Sequence, residues 1–230
     1  MSDFRLLIFD WDGTLVDSIA RIVESIQVAA ACCELPPLSA EPIKAIIGLS
    51  LSRAIDVLYP QFDDPLGRER FRQAYADHYL ALEEQPSPLF PGVAEALQAF
   101  RREGLQLAVA TGKSRRGLHQ VLARRGWLDF FDITRCADET SSKPHPQMLE
   151  EILAHCGVPA HRALMVGDSR FDLQMAHNAG VHAVAVGYGA QSLASLREDA
   201  PHLEIEHFDQ LRAWLGVPLD REVKREHEYV

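Results

Sequence analysis

The sequence Asp10-Trp11-Asp12-Gly13-Thr14-Leu15-Val16-Asp17-Ser18 follows residues 4–9, an apolar segment of the length of a β-strand. A continuous apolar run of this size is typical of a strand buried on both faces of a parallel sheet. In such sheets, ligands bind just beyond the carboxyl ends of the strands, where the strand order reverses. Two carboxylates therefore follow the buried strand directly, at the edge of the sheet where open α/β folds place their ligand-binding sites.

Asp10 and Asp12 are the first candidates for catalysis. Side chains two positions apart on a strand point the same way, so both carboxylates are expected to face one small volume. Two like charges held close raise one another's pKa or recruit a cation. With a cation bound, one carboxylate stays ionised as a nucleophile while the other carries a proton as general acid. On this stretch alone a strand-ending turn is an equal alternative, because Asp and Gly are common turn residues.

Helical periodicity replaces the strand pattern after Ser18, which we expect to be the N-cap of the first helix. Helices are predicted for residues 19–30, 39–47, 51–58 and 67–82, with no convincing strand between residues 17 and 85. Residues 18–87 are therefore expected to form an inserted, all-helical cap domain with hinge-like flanks. Its position beside the catalytic candidates suggests a lid, and a rigid helical subdomain is the alternative.

Strands and helices alternate from residue 89 onward. Strands are predicted for residues 105–110, 131–136, 162–166 and 181–186, and helices for residues 91–104, 115–125, 146–156, 172–179, 193–197 and 208–215. This alternation is typical of a doubly wound, Rossmann-like parallel sheet with helices on both faces. We expect residues 1–17 and 88–217 to form this α/β core domain, and residues 218–230 to be a charged C-terminal tail.

Composition narrows the class of protein. The chain has 230 residues, is 47% hydrophobic and 24% charged, and carries a net charge of −10. These values are ordinary for a globular protein, and the acidic charge argues against nucleic-acid binding. No apolar stretch is long enough to span a bilayer and no signal-peptide pattern occurs, so we expect a cytoplasmic protein without a membrane partner. The four cysteines have neither disulfide-framework nor zinc-site spacing.

Two loops after later strands add polar candidates. Thr111-Gly112-Lys113-Ser114 follows one strand, where a hydroxyl and free backbone N–H groups suit a phosphate oxygen. Capping of the next helix by Thr111 or Ser114 is the alternative. Lys143 lies in a loop before a helix, where it could reach a carboxylate and a phosphate together. A solvated surface lysine is the alternative, since most lysines are exposed.

A third loop carries two more carboxylates. Asp168 and Asp172 lie four residues apart on the turn that enters a helix, a spacing that places them on one side of it. Carboxylate oxygens are hard ligands of the kind that Mg²⁺ prefers. Helix capping by Asp168, with Asp172 in the first turn, is the alternative.

These signals occur in one order, Asp-x-Asp, Thr, Lys-Pro and Gly-Asp-x-x-x-Asp, each after a predicted strand. With them, the chain resembles the haloacid dehalogenase-like hydrolase superfamily, in particular its phosphoglycolate-phosphatase-like branch with a helical cap, over about residues 6–215. The resemblance implies a Mg²⁺-dependent phosphatase that acts on a small phosphorylated metabolite through an aspartyl-phosphate. True dehalogenases lack the second aspartate of the first motif, so Asp12 favours phosphoryl transfer.

The resemblance also implies a role for each site residue. Asp10 would be the nucleophile, and Asp12 the general acid that later activates water. Thr111 would bind the phosphoryl group, and Lys143 would hold it against Asp10. The implied metal ligands are the carboxylates of Asp10 and Asp168 and the main-chain carbonyl of Asp12, with Asp172 supporting the metal. The implied substrate-binding set is Thr111, Gly112, Lys143 and Arg53.

Several alternatives stay open at this stage. Gly112 stands where relatives often have asparagine, and Lys44, the one cap lysine, is no confident match for the Schiff-base lysine of phosphonate-cleaving relatives. A β-phosphoglucomutase-like phosphomutase shares all four motifs, and a non-catalytic binding module could share the scaffold. Arg53 could bind an anionic tail of the substrate or be a surface arginine. The chain is expected to be a monomer or a homodimer.

Overall fold

A computed structural model describes residues 3–218, and its centre is a parallel six-stranded sheet. The strands are β1 (Leu6–Phe9), β2 (Gln106–Thr111), β3 (Ile133–Cys136), β4 (Ala163–Gly167), β5 (His182–Val186) and β6 (Leu203–Ile205). Their order is β3-β2-β1-β4-β5-β6, and each neighbouring pair is parallel. The predicted doubly wound parallel sheet is confirmed, and β6 is a strand that the sequence pattern did not predict.

The central strand β1 is buried on both faces, which explains its unbroken apolar sequence. All four of its residues are 0% exposed. Leu7 and Phe9 pack into the apolar cluster on one face of the sheet, and Leu6 and Ile8 pack into the cluster on the other. Because the side chains alternate, both faces need apolar residues.

Ten α-helices flank or extend the sheet within residues 3–218. They are α1 (Ile19–Cys32), α2 (Ala40–Lys44), α3 (Leu51–Leu58), α4 (Pro65–Leu82), α5 (Val93–Arg102), α6 (Arg115–Arg124), α7 (Gln147–Cys156), α8 (Arg170–Asn178), α9 (Leu193–Leu196) and α10 (Phe208–Trp214). Every helix predicted from the sequence is present. The ends differ where local chemistry overrides periodicity: α4 begins two residues early, because Asp64 accepts hydrogen bonds from the N–H groups of Leu66 and Gly67.

The second predicted helix, residues 39–47, is shorter than expected. After Lys44 the backbone tightens: the N–H groups of Ile46 and Ile47 bond to carbonyls three residues back instead of four. Gly48, with φ of 104°, then ends the turn. The resulting loop, residues 45–50, is the part of the helical insert that meets the sheet's functional edge.

Helices α1–α4 pack on one another around a cluster of their own, with Ile26, Ile43 and Phe71 near its centre. The chain enters and leaves this insert at one place, because Val16 and Leu89 form an antiparallel bridge. These features suit the division into a core domain and a cap at residues 18–87, which we retain as a prediction. None of the helices described could cross a membrane. The predicted charged tail lies, except for residue 218, outside the described residues.

Candidate active site

The carboxyl ends of β1, β2 and β4 meet at one edge of the sheet. Phe9 pairs in register with Val109 of β2 and with Val166 of β4. Thr111 is the last residue of β2, and Asp10 and Asp168 directly follow β1 and β4, so the three lie together at the point where the strand order reverses. The side chains of all three are buried.

Lys143 reaches this edge from the loop before α7. Its Nζ lies 2.9 Å from Asp10 Oδ1 and 2.6 Å from Asp172 Oδ1. The residue is only 2% exposed, so the surface-lysine alternative is wrong. Burial by itself would lower the pKa of Lys143, but the charges of Asp10 and Asp172 outweigh it and hold the pKa above its ordinary value.

Asp10, Asp168 and Asp172 form a cluster in which one carboxylate oxygen from each lies within 4.8 Å of the others. Burial raises the pKa of Asp10 to about 7, although Lys143 opposes the shift. Burial and the neighbouring Asp10 raise the pKa of Asp168 well above its usual range. Three carboxyl groups crowded around one lysine are thus unfavourable as anions on their own, and hard oxygen donors in this number suit a divalent cation, which would favour their ionised forms. The residues therefore fit a metal such as Mg²⁺.

Two glycines make the space that Asp168 occupies. A Cβ atom on Gly13 would lie 2.1 Å from Asp168 Oδ2, and one on Gly189 would lie 2.2 Å from Asp168 Cβ. Asp168 also accepts hydrogen bonds from Thr14 Oγ1 at 3.2 Å and from the N–H of Ala190 at 2.7 Å. Gly13 and Thr14 of the first motif therefore shape the pocket around Asp168 of the last motif.

Asp172 contributes both to the cap of α8 and to the buried carboxylate cluster. Its Oδ2 accepts a hydrogen bond from the backbone N–H of Ser169 at 3.2 Å, which is one half of a capping box at the start of α8. The same oxygen accepts a second hydrogen bond from the Ser169 hydroxyl at 2.7 Å. Its Oδ1 accepts a hydrogen bond from Lys143. The helix cap thus fixes the orientation of a carboxylate that belongs to the buried cluster.

The side chain of Asp12 lies outside that cluster. Its Oδ1 accepts hydrogen bonds from the hydroxyls of Ser18 at 2.6 Å and Tyr79 at 3.3 Å, and its Oδ2 lies 3.0 Å from Lys113 Nζ. Ser18 is the N-cap residue of α1, as expected, but its side chain makes no capping hydrogen bond to that helix. The Ser18 hydroxyl is engaged by the carboxylate six residues earlier instead.

Lys113 and Tyr79 are site residues to which sequence reasoning gave no role. Lys113 Nζ lies 4.0 Å from the centroid of the Tyr79 ring, close enough for a cation–π contact. Burial alone would lower the pKa of Lys113, but the charge of Asp12 raises it above its ordinary value. Its position two residues after Thr111 was a usable signal for Lys113. Nothing local in the sequence indicated that Tyr79 of α4 would meet it.

Thr111 is fully buried, and its Oγ1 accepts a hydrogen bond from the N–H of Lys113 at 3.2 Å. The alternative that Thr111 caps α6 is wrong, because Ser114 provides that cap. Gly112 lies against residues 45–50 of the helical insert, here called the cap loop. A Cβ atom on Gly112 would lie 2.6 Å from the carbonyl oxygen of Leu49 and 2.8 Å from that of Gly48. A side chain of any kind at this position would collide with the cap backbone, which explains the glycine.

Arg53 lies apart from the other predicted residues. It is in the first turn of α3, its side chain is 63% exposed, and its guanidinium pairs with Asp56 at 3.1 Å. It lines a cavity of about 760 Å³ that lies between the helical insert and the sheet edge, with Asp10 and Asp12 also in its wall. A substrate-binding role for Arg53 stays a prediction.

Comparison with known proteins shows which family has a similar sequence and fold. Residues 7–186 match the model of the haloacid dehalogenase-like hydrolase family. The chain is 33% identical over 90% of its length to the probable phosphatase IndB of Dickeya dadantii, and the match covers 91% of that protein. It is 31% identical over 94% of its length to a phosphoglycolate phosphatase of Mesorhizobium japonicum, 96% of which is covered.

A solved structure agrees with these sequence relatives. The crystal structure of a predicted phosphoglycolate phosphatase from Haemophilus somnus 129PT matches with a TM-score of 0.80 at 28% identity. The match covers 93% of this chain and 99% of that one. The chain therefore belongs to the haloacid dehalogenase-like hydrolase family and is a phosphatase of the phosphoglycolate-phosphatase type.

Proposed function

We propose that this protein is a Mg²⁺-dependent phosphomonoester hydrolase that works through an aspartyl-phosphate on Asp10. One observation supports this most strongly. Asp10 Oδ1 is held by Lys143 at 2.9 Å and by the N–H of Trp11 at 2.7 Å. Among the described residues, none donates a hydrogen bond to Oδ2, and Asp10 lines the cavity. One oxygen is thus fixed, and the other is available for attack on phosphorus.

The first half-reaction forms the phosphoenzyme. An oxygen of Asp10 bonds to phosphorus as the bond between phosphorus and the ester oxygen breaks. Asp12 gives its proton to the departing oxygen, which leaves as a neutral alcohol. Lys143 and Thr111 hold the phosphoryl oxygens, so that positioning and charge compensation supply most of the catalysis. Bound Mg²⁺, held by Asp10, Asp168, the carbonyl of Asp12 and the support of Asp172, would neutralise charge on the phosphoryl oxygens.

The second half-reaction returns the enzyme to its starting state. Water attacks phosphorus, Asp12 takes the proton from that water, and the bond between phosphorus and the Asp10 oxygen breaks. Inorganic phosphate leaves and Asp10 is again a free carboxylate. Asp12 therefore acts first as acid and then as base, and its contacts with Ser18, Tyr79 and Lys113 keep it in place for both.

Several narrower statements belong to this proposal. The phosphoglycolate phosphatases among the relatives support a small phosphorylated metabolite as substrate. We further propose that the protein acts in the cytoplasm as a monomer or homodimer and has no nucleic-acid partner, in keeping with its net charge of −10. The intact set of four aspartates and Lys143 argues against a non-catalytic binding module.

Release of phosphate from a panel of phosphomonoesters, with Mg²⁺ and with chelator, tests the proposal. We expect hydrolysis with Mg²⁺ only, and its loss in Asp10→Asn. Asp17→Asn is the matched control, because Asp17 is exposed within the same motif and should retain activity within about twofold. No hydrolysis across the panel, or near-normal activity of Asp10→Asn, would contradict the proposal.

Chromatographic analysis of products from β-glucose 1-phosphate separates a hydrolase, which releases glucose, from a phosphomutase, which yields glucose 6-phosphate.

A further inference from the structure

The cavity over Asp10 and Asp12 is larger than a two-carbon acid requires. Its volume of about 760 Å³ lies in the range of pockets that enclose whole drug-sized ligands. Away from the two aspartates, the part that the helical insert contributes is mostly apolar. The apolar side chains of this wall are Ile22, Ile26, Ile46, Ile47, Leu49, Leu51, Ala54, Tyr75, Ala76, Tyr79 and Leu80.

One face of α4 supplies the aromatic part of the wall. Tyr75 and Tyr79 stack with ring centroids 5.9 Å apart and an interplanar angle of 20°, and Tyr79 adjoins Asp12. Ala76 and Leu80 lie one residue further along, on the adjacent side of the helix, and also line the cavity. Because Ala76 and Leu80 are half-buried, their apolar surface remains uncovered beside the reacting groups. Such uncovered surface next to a polar centre is typical of a ligand site.

Three of the four cations in the described cavity wall have carboxylate partners. Lys113 pairs with Asp12, and Arg53 pairs with Asp56. Arg72 pairs with Glu69 on the same helix. The remaining arginine of the described lining, Arg116, is exposed to solvent. A second anionic group that lies against the apolar side chains of this wall would lose its hydration there.

We propose that this cavity takes phosphomonoesters whose alcohol part is an apolar alkyl or aryl group, in preference to acids such as 2-phosphoglycolate. This inference rests on the proposed phosphatase function of the same site. The phosphate is bound at the sheet edge by Lys143 and Thr111, and the alcohol part extends along Tyr79, Tyr75 and Leu80. Specificity then comes from burial of apolar surface and not from a carboxylate-binding arginine.

A series of straight-chain alkyl phosphates tests this inference, because the acidity of the leaving alcohol stays about constant while apolar area grows. With Mg²⁺ present, kcat/KM is measured for ethyl, butyl and hexyl phosphate and for 2-phosphoglycolate. We expect kcat/KM to rise about fourfold for each methylene added, and the value for hexyl phosphate to exceed that for 2-phosphoglycolate at least tenfold.

The outcomes separate the two proposals. A flat alkyl series, or a preference for 2-phosphoglycolate, would overturn the substrate class and leave the phosphatase function standing. Absence of hydrolysis for every ester would overturn both. A rising series with 2-phosphoglycolate as a poor substrate supports both.

Matched substitutions on α4 give an independent test. Ala76→Leu adds bulk to the cavity wall, whereas Ala81→Leu adds the same bulk at an exposed position of the same helix. We expect Ala76→Leu to lower the ratio of kcat/KM for hexyl to ethyl phosphate at least tenfold, and Ala81→Leu to leave that ratio unchanged. Equal ratios in Ala76→Leu and the parent protein would contradict the inference. The alkyl series on the parent protein decides the matter if Ala76→Leu fails to fold.

Discussion

Asp10 and Asp12 are two residues apart, yet different partners hold their carboxylates. Asp10 pairs with Lys143 inside the buried cluster, and Asp12 pairs with Lys113 beside Tyr79. Separate environments allow two carboxylates of one motif to perform different tasks. Strand alternation predicted that both carboxylates face one small volume, but β1 ends at Phe9 and the Asp12 side chain lies outside the cluster of Asp10, Asp168 and Asp172. The alternation could not indicate which lysine each would meet, since those contacts join distant parts of the chain.

Removal of the charge of Lys113 tests its role as a positioning residue for Asp12. Lys113→Met removes the group that fixes the position of the Asp12 side chain, so we expect kcat to fall about 10–10²-fold, less than the loss of Asp12 itself would cost. KM should change much less, because Lys113 is engaged with Asp12. Steady-state kinetics on one phosphomonoester measures both.

Two further variants make the Lys113 result interpretable. Lys113→Arg keeps a cation and should recover part of the lost kcat. Lys44→Met removes a half-exposed lysine from α2 and should change kcat less than about twofold. A Lys113→Met protein with the kcat of the parent, or a loss confined to KM, would show that Asp12 does not depend on this lysine.

At the scale of elements, the strands and helices with strong periodicity could be predicted, and the exceptions have physical reasons. Strand β6 has only three residues and pairs with β5 alone, so no alternating pattern was long enough to indicate it. Ser18 has the residue type of a helix cap, but the turn of the first motif brings Asp12 within reach of its hydroxyl. Competition of this kind depends on tertiary structure and cannot be inferred from local sequence.

The contact between the cap loop and Gly112 belongs to the same scale. The carbonyls of Gly48 and Leu49 lie over Gly112, and the N–H of Ser50 donates a hydrogen bond to Ser142 Oγ at 2.9 Å. The loop that follows α2 therefore closes the cavity by resting on two core loops. A glycine at position 112 allows the backbones to approach this closely.

Gly112→Ala should hinder this closure. Its Cβ would lie 2.6 Å from a backbone oxygen, so the cap loop must shift and the cavity must open. We expect kcat/KM to fall at least tenfold while the melting temperature changes by only a few degrees. Gly117→Ala is the control, because its Cβ would meet only Ser114 Oγ, at 3.3 Å. Equal kcat/KM values for the two variants would show that the loop contact is not needed for turnover.

At the scale of the whole molecule, a chain with a net charge of −10 must attract a phosphorylated substrate. The overall field repels such a molecule, so local cations have to reverse it within the site. Lys143 offsets part of the charge of the three buried aspartates, and a divalent metal would offset the rest. Metal binding is therefore expected to stabilise the folded chain as well as to support catalysis.

Thermal denaturation with and without Mg²⁺ measures that stabilisation directly. At a Mg²⁺ concentration about 100-fold above Kd, the folded state should gain roughly 2.7 kcal/mol, which raises Tm by several degrees. Asp168→Asn should reduce the rise, because it removes one carboxylate of the cluster. Asp17→Asn should keep the full rise. A Tm that does not respond to Mg²⁺ in the parent protein would contradict the metal site.

The most direct test is detection of the phosphoryl group on Asp10 during turnover. Protein mixed with excess substrate and Mg²⁺ is quenched in acid within milliseconds, digested and analysed by mass spectrometry. The account predicts one added phosphoryl group on the peptide that contains Asp10, labile to hydroxylamine, present in Asp17→Asn and absent in Asp10→Asn. Steady turnover with no phosphoryl group on Asp10, or with the group on another residue, would contradict it.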